Sequence, residues 1–306
     1  MRRKLLLLFV FLMTDLALFA NGNKNFMFKK ESEINRLVQM AIANENKKGH
    51  MLYMIGKERA LTQKMAKEAL LIALGVDVEK NREYLKESAN LYERILNAVL
   101  KGDRELKINA SKNKEIISFT KKLQKEWKKF KSHLKPYEKN SVKKEDLLYI
   151  VNKNEDLLRD TNRLFLMYKK EDNFDNKLTD SMMNALDFAG RESMLSQKIV
   201  KEKLLVLAGI DKERNIVKLR GSFLLFDKAL RGLLDGNEKR GISPAAVSHI
   251  RAELLEMKSI WDSMIPVIFK TELNREDLKK LVTLNLPLLD KSNKVVRMYE
   301  DLADLY

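Results

Sequence analysis

Gly56, Arg59 and Gln63 are spaced i, i+3 and i+7, which on an α-helix sets them along a single stripe. Arginine presents five donors in a rigid planar fork that suits a flat oxyanion better than the point charge of a lysine, and the glutamine adds an amide. A glycine inside a helix costs about 1 kcal/mol relative to alanine, so its place on this stripe predicts that another group approaches closely there. Around the stripe, Met54, Leu61 and Met65 predict a dry wall that strengthens its electrostatics. The chemistry on offer is anion recognition.

The segment occurs twice. Ile55-Gly56-Lys57-Glu58-Arg59-Ala60-Leu61-Thr62-Gln63-Lys64-Met65 is echoed by Ala189-Gly190-Arg191-Glu192-Ser193-Met194-Leu195-Ser196-Gln197-Lys198-Ile199, a register of 134 residues that also pairs Gly75 with Gly209, Asp77 with Asp211, Gly102 with Gly236 and Trp127 with Trp261. A repeat of this length matches an ordinary domain, so each copy is expected to bury its own core. In the second copy the corresponding positions are Gly190, Arg191, Ser193 and Gln197.

Helices must position these residues. Four prolines and eleven glycines in 306 residues leave room for long uninterrupted helices, and no alternating strand pattern is visible. Leu85, Ala89, Tyr92, Leu96 and Val99, and in the second copy Leu219, Phe223, Phe226, Leu230 and Leu233, trace one apolar seam along a helix. Gly75-Val76-Asp77 and Gly209-Ile210-Asp211 read as a left-handed stop followed by an N-cap. Lys101-Gly102-Asp103 and Asp235-Gly236-Asn237 end the next helix; Asn140-Ser141, Ser243-Pro244, and Asn274 with Asp277 read as starts. The spacing predicts helices at about 30–75, 77–101, 104–136 and 141–172, then about 176–208, 211–235, 243–271 and 274–304. Four such helices per copy predict an all-α fold of two tandem antiparallel four-helix bundles, at 30–172 and 176–306, after a signal peptide at 1–20. The polar joint Glu171-Asp172-Asn173-Phe174-Asp175-Asn176 leaves open an end-to-end arrangement or a folded-back pair.

At the repeated segment the chain resembles the N-terminal sensory domain of type IV pilus methyl-accepting chemotaxis transducers, the PilJ-type family, whose motif runs approximately Ala-Gly-Arg-Gln-Arg-Met-Leu-Ser-Gln. That family is similar to the periplasmic domain of nitrate and nitrite sensor kinases. The resemblance covers both copies, essentially all of the chain after about residue 40, and Gly190 to Gln197 departs from the pattern at two places. It implies a four-helix bundle that binds an anion through a motif arginine on its first helix, where two bundles meet. That arginine corresponds to Arg59 in the first copy and to Ser193 in the second, while Glu58 sets an anion where the family carries a neutral glutamine. A site needing one arginine from each bundle is therefore not expected within one molecule, but is open between the first copies of two chains. A packing role is the other reading, with Arg59 paired to Glu58 or Glu93. Members of the family continue into a membrane helix and a signalling module, so a chain ending at Tyr306 is expected to relay to a partner.

Met1-Arg2-Arg3-Lys4, the apolar run from Leu5 and the small residue Ala20 follow the order of a cleaved secretory signal, with a retained N-terminal anchor as the alternative. The run is short of the roughly 20 residues a span requires and contains Asp15. The chain has no cysteine, which removes disulfides, thiolate metal sites and a cysteine nucleophile. The formal charge of +16 raises anionic partners, and export makes nucleic acid an unexpected one. His50, His133 and His249 lack ligand spacing, Met51, Met54, Met65, Met182, Met183 and Met194 read as core fillers, and no catalytic constellation is visible. No metal, cofactor or enzymatic activity is expected. The first functional reading is a periplasmic sensory protein that binds a small anion such as nitrate or nitrite at Gly56, Arg59 and Gln63. It would relay to a sensor kinase or chemoreceptor, or self-associate through first helices. The second is an envelope interaction protein that binds another protein or an anionic glycan.

Overall fold

The computed structural model describes residues 50–139, 141–170, 180–245 and 247–304. The expected leader at 1–20, the start of the first helix at residue 30, Asn140 and the joint at 171–176 lie outside the described residues, as do the side chains of Met182 and Met183.

Eight α-helices are described: α1 (50–73), α2 (Val78–Lys101), α3 (Lys114–Glu138), α4 (Lys144–Lys169), α5 (Asp180–Leu207), α6 (Lys212–Asp235), α7 (Ser248–Phe269) and α8 (Arg275–Asp304). They form two tandem antiparallel four-helix bundles. In the first, Arg82 near the start of α2 donates to the Tyr137 carbonyl at the end of α3, while Lys131 reaches back to Glu93, so the two helices run in opposite directions. On α4, Asn154 bonds the Thr62 carbonyl and Phe165 lies beside Gly56, which makes α1 and α4 antiparallel as well.

The predicted seams are the core. Leu85, Ala89, Tyr92, Leu96 and Val99 are all buried, as are Leu219, Phe226, Leu230 and Leu233; Phe223 is half-buried and stacks on Trp261. Each bundle is centred on its tryptophan, Trp127 packed on Tyr92 at 4.6 Å and Trp261 on Phe226 at 4.3 Å. Such pairs add about 0.5–1.5 kcal/mol beyond the area they bury.

Helix ends depart from expectation in places, each for a local reason. Gly75 and Gly209 do adopt the left-handed region, at φ 70° and 69°. Asp77 and Asp211, however, are left-handed too and give no side-chain cap. Asn81 and Asn215 instead donate back to the carbonyls of Val76 and Ile210. The third helix starts at Lys114 rather than 104, because Asp103 and Ile108 exchange two backbone hydrogen bonds of 2.8 and 2.9 Å that bury Ile108, and Asn113 then caps Glu115 and Ile116. Asn237 and Ile242 repeat this bridge, which leaves Pro244 in the loop and delays α7 to Ser248. Of the expected starts, Asn274 with Asp277 forms a reciprocal capping box, each side chain accepting the other's backbone N–H.

The bundles lie side by side, with α1 and α5 parallel and related by a pseudo-twofold. Lys67 of α1 donates to Gln197 of α5 at 2.7 Å and to Asn285 of α8 at 2.8 Å. Its repeat counterpart Lys201 donates to Asn154 and Glu155 of α4 at 2.9 and 2.6 Å. Asn154 and Asn285 pass their amides to the carbonyls of Thr62 and Ser196, again repeat counterparts. Side-chain amides thus carry the contact in both directions, in keeping with the need to satisfy polar groups removed from water.

An arginine enclosed between two first helices

Arg59 projects from α1 towards α5 and is 2 % exposed. Its guanidinium lies 4.0 Å over the Phe165 ring of α4, so one face is closed by an aromatic. Nη1 donates to the Asp187 carboxylate of α5 at 3.1 Å and to the Asn162 amide oxygen at 3.3 Å. Nη2 faces Gly190: a Cβ there would lie 2.9 Å from it, a distance at which something must shift. The glycine on the second stripe is therefore there to admit the arginine of the first. Gly56 has looser surroundings, since its Cβ would stand at an ordinary 3.6 Å from Arg59 and Phe165.

Asp187 is the residue that sequence reasoning missed. It is 6 % exposed and gathers cations from three helices: Arg59, Arg191 at 3.0 Å and Lys169 at 3.6 Å. Burial by itself would raise its carboxyl, but Arg59, Arg191 and Lys169 outweigh this and hold it below the ordinary value, so it is ionised. Its repeat counterpart is Tyr53, while the counterpart of Arg59 is Ser193. The one sequence signal for it was an aspartate one turn before Arg191, on the face that carries the motif.

The residues of the stripe fall into two layers. Gly56, Arg59, Gly190 and Ser193, with Asn293, line a small cavity of about 10 Å³, and the buried Ser193 hydroxyl has no hydrogen-bond partner among the described residues. Two turns separate Gly56 from Gln63, which bonds Thr62 and leaves its own amide oxygen enclosed without a partner among the described residues. Gln197 lies in that second layer and accepts from Lys67. Arg191 turns outward to Asp187, its side chain 43 % exposed. Burial lowers the ammonium of Lys67, and likewise that of Lys201, to about 8.

Glu58 and Glu192 change the electrostatics expected from the sequence. Both are fully buried in their own bundles, neither oxygen of either has a hydrogen-bond partner among the described residues, and Glu93 is taken by Lys131. Desolvation pushes both carboxyls well above the ordinary range. Glu58 is therefore a neutral acid near Tyr92, close in shape to a glutamine, and sets no anion beside Arg59.

A larger cleft of about 330 Å³ opens elsewhere, between α4 and the α5–α6 corner, with Lys201, Arg159 and Arg214 in its lining. Its repeat counterpart carries Leu286 and Pro287 in place of Glu155 and Asp156. Of the histidines, His50 bonds Glu300 and the Leu106 carbonyl, and His133 bonds Asp146 and stacks on Tyr149. Among the described residues no group of three or more acidic or histidine side chains is arranged to hold a metal, and no helix is long and apolar enough to cross a membrane.

No curated protein and no solved structure matches the chain. A family model does: the type IV pili methyl-accepting chemotaxis transducer N-terminal domain matches residues 40–152 and again 179–281. One matched segment falls in each copy of the repeat and covers its first three helices and the start of the fourth, and the chain belongs to the PilJ family of sensory transducer domains.

Proposed function

We propose that the chain is an exported, periplasmic and non-catalytic sensory protein in which the seam between the two first helices is the sensing element. A small oxyanion such as nitrate or nitrite engages Arg59 at this seam, and the resulting shift in helix packing is relayed to a protein partner, a sensor kinase or chemoreceptor. The observation that carries this reading is a fully enclosed guanidinium on a glycine-lined interface, where three cations converge on one carboxylate. A desolvated guanidinium of this kind favours an anion far more than the same charge would in water. The seam is also suited to transmit, because a ligand that prefers one packing of α1 against α5 shifts the population by its differential affinity. Gly56 and Arg59 line the sensing layer, and Gln63 with Gln197 supports the next.

Isothermal titration of the full chain with nitrate, nitrite and chloride tests this. Saturable binding of an oxyanion that is lost in Arg59→Ala is the expected result, and absence of binding across the panel would remove the small-ligand reading. One observation favours an envelope interaction protein instead: the cavity beside Arg59 is about 10 Å³, too small for an added anion in the present packing. Stable co-purification of one macromolecular partner, unaffected by Arg59→Ala, is the outcome that reading requires.

A further inference from the structure

We propose that Asp187 is a tethered anion: its carboxylate occupies the oxyanion position of Arg59 and locks the two first helices together until a free anion displaces it. The inference rests on the reading of Arg59 as the anion-binding residue, and adds what fills that site in the resting protein.

The duplication itself supplies the first argument. Each copy holds one half of the pair: the first has Arg59 but Tyr53 at the aspartate position, and the second has Asp187 but Ser193 at the arginine position. Neither bundle can make the ion pair alone, so the pair exists only across the seam. Geometry supplies the second. Phe165 closes one face of the guanidinium, Gly190 lies against Nη2, and the Asp187 carboxylate takes the Nη1 edge. A free carboxylate or nitrate on that edge would need the space the Asp187 oxygens fill. Third, Asp187 has somewhere to go. Arg191 and Lys169 already contact it from the solvent side, with side chains 43 % and 27 % exposed, so the carboxylate leaves Arg59 without losing its charge compensation.

Such an internal competitor weakens the apparent affinity for a free anion by the fraction of time it leaves Arg59 vacant. Removing only the carboxylate vacates a volume matched to a planar monovalent oxyanion. Formate and nitrate fit this description, whereas tetrahedral sulfate is larger.

Asp187→Ala keeps the Cβ and removes the carboxylate, which makes formate the matching probe. Thermal unfolding and titration calorimetry of the full chain are run with sodium formate and sodium nitrate, against sodium chloride at equal ionic strength. The expected result is a lower Tm in Asp187→Ala and an oxyanion affinity at least about 10-fold tighter than in the parent. At 100 times the dissociation constant the Tm recovers by roughly 4 °C, and the response disappears in Asp187→Ala/Arg59→Ala. Equal affinity in parent and Asp187→Ala overturns the tethered anion while leaving Arg59 as the binding residue. Binding to Asp187→Ala that survives Arg59→Ala overturns the Arg59 reading itself. Should the alanine variant fail to fold, Asp187→Ser carries the same comparison, and a folded serine variant without a saturable response overturns both.

Discussion

Glu58→Gln should gain stability relative to the parent as pH rises out of the acid range. Both carboxyl oxygens of Glu58 are sealed from water without a hydrogen bond, so the folded chain keeps the proton that the unfolded chain releases above its ordinary value of 4.5. The sign follows from proton counting. With a raised folded value, the native state binds more protons than the unfolded state above 4.5, and stability falls as pH rises, by about 1.4 kcal/mol per pH unit while the folded proton is held. The penalty grows above pH 4.5 until the folded carboxyl itself ionises, and near pH 4 it vanishes. Glutamine fills the same space and needs no proton, so it lacks this pH-dependent penalty. Any cost of enclosing its unbonded amide applies equally at every pH. The informative quantity is therefore the stability of Glu58→Gln minus that of the parent, from urea denaturation followed by circular dichroism at pH 4, 5, 6 and 7. The difference should rise between pH 5 and 7, by at most about 1.4 kcal/mol per unit. A flat difference would refute the claim that this carboxyl is folded away neutral, and Glu192→Gln, its counterpart in the second bundle, should give the same slope.

Gly190→Ala and Gly56→Ala should part company, although the two glycines are equivalent in sequence. In the first the added methyl would lie 2.9 Å from Arg59 Nη2, so the enclosed guanidinium must give way and a cost of up to about 1–3 kcal/mol is expected, whereas the second makes only ordinary contacts and should be neutral or gain up to about 1 kcal/mol in chemical denaturation. Trp127→Ala and Trp261→Ala should each cost about 3–5 kcal/mol by the same assay, since both rings are enclosed and centre their bundles. Lys67 binds its proton less well when folded, about 8 against 10.5, so its share of stability is complete above 10.5 and is lost as pH falls through about 8. Denaturation midpoints at pH 8 and pH 10 should therefore rise less in Lys67→Met than in the parent, and an unchanged rise would discount this group.

The sequence by itself determined the all-α class, the duplication and the core. Heptad-like spacing from Leu85 to Val99 and from Leu219 to Leu233 fixes which face each helix buries, because 3.6 residues per turn leave no alternative stripe. Capping at Asn274 was legible for a related reason, being settled by neighbours three residues apart. The loops at 103–113 and 237–245 were not, because their bridges depend on Ile108 and Ile242 reaching a core assembled from distant segments. Tertiary structure alone decided that the bundles pair with α1 and α5 parallel, that Glu58 and Glu192 turn inward as neutral acids, and that Arg59 meets Asp187 across 128 positions of chain. A repeat announces itself in sequence, but the partner of a buried charge is set by which surfaces exclude water together, and that is a property of the packed pair of bundles.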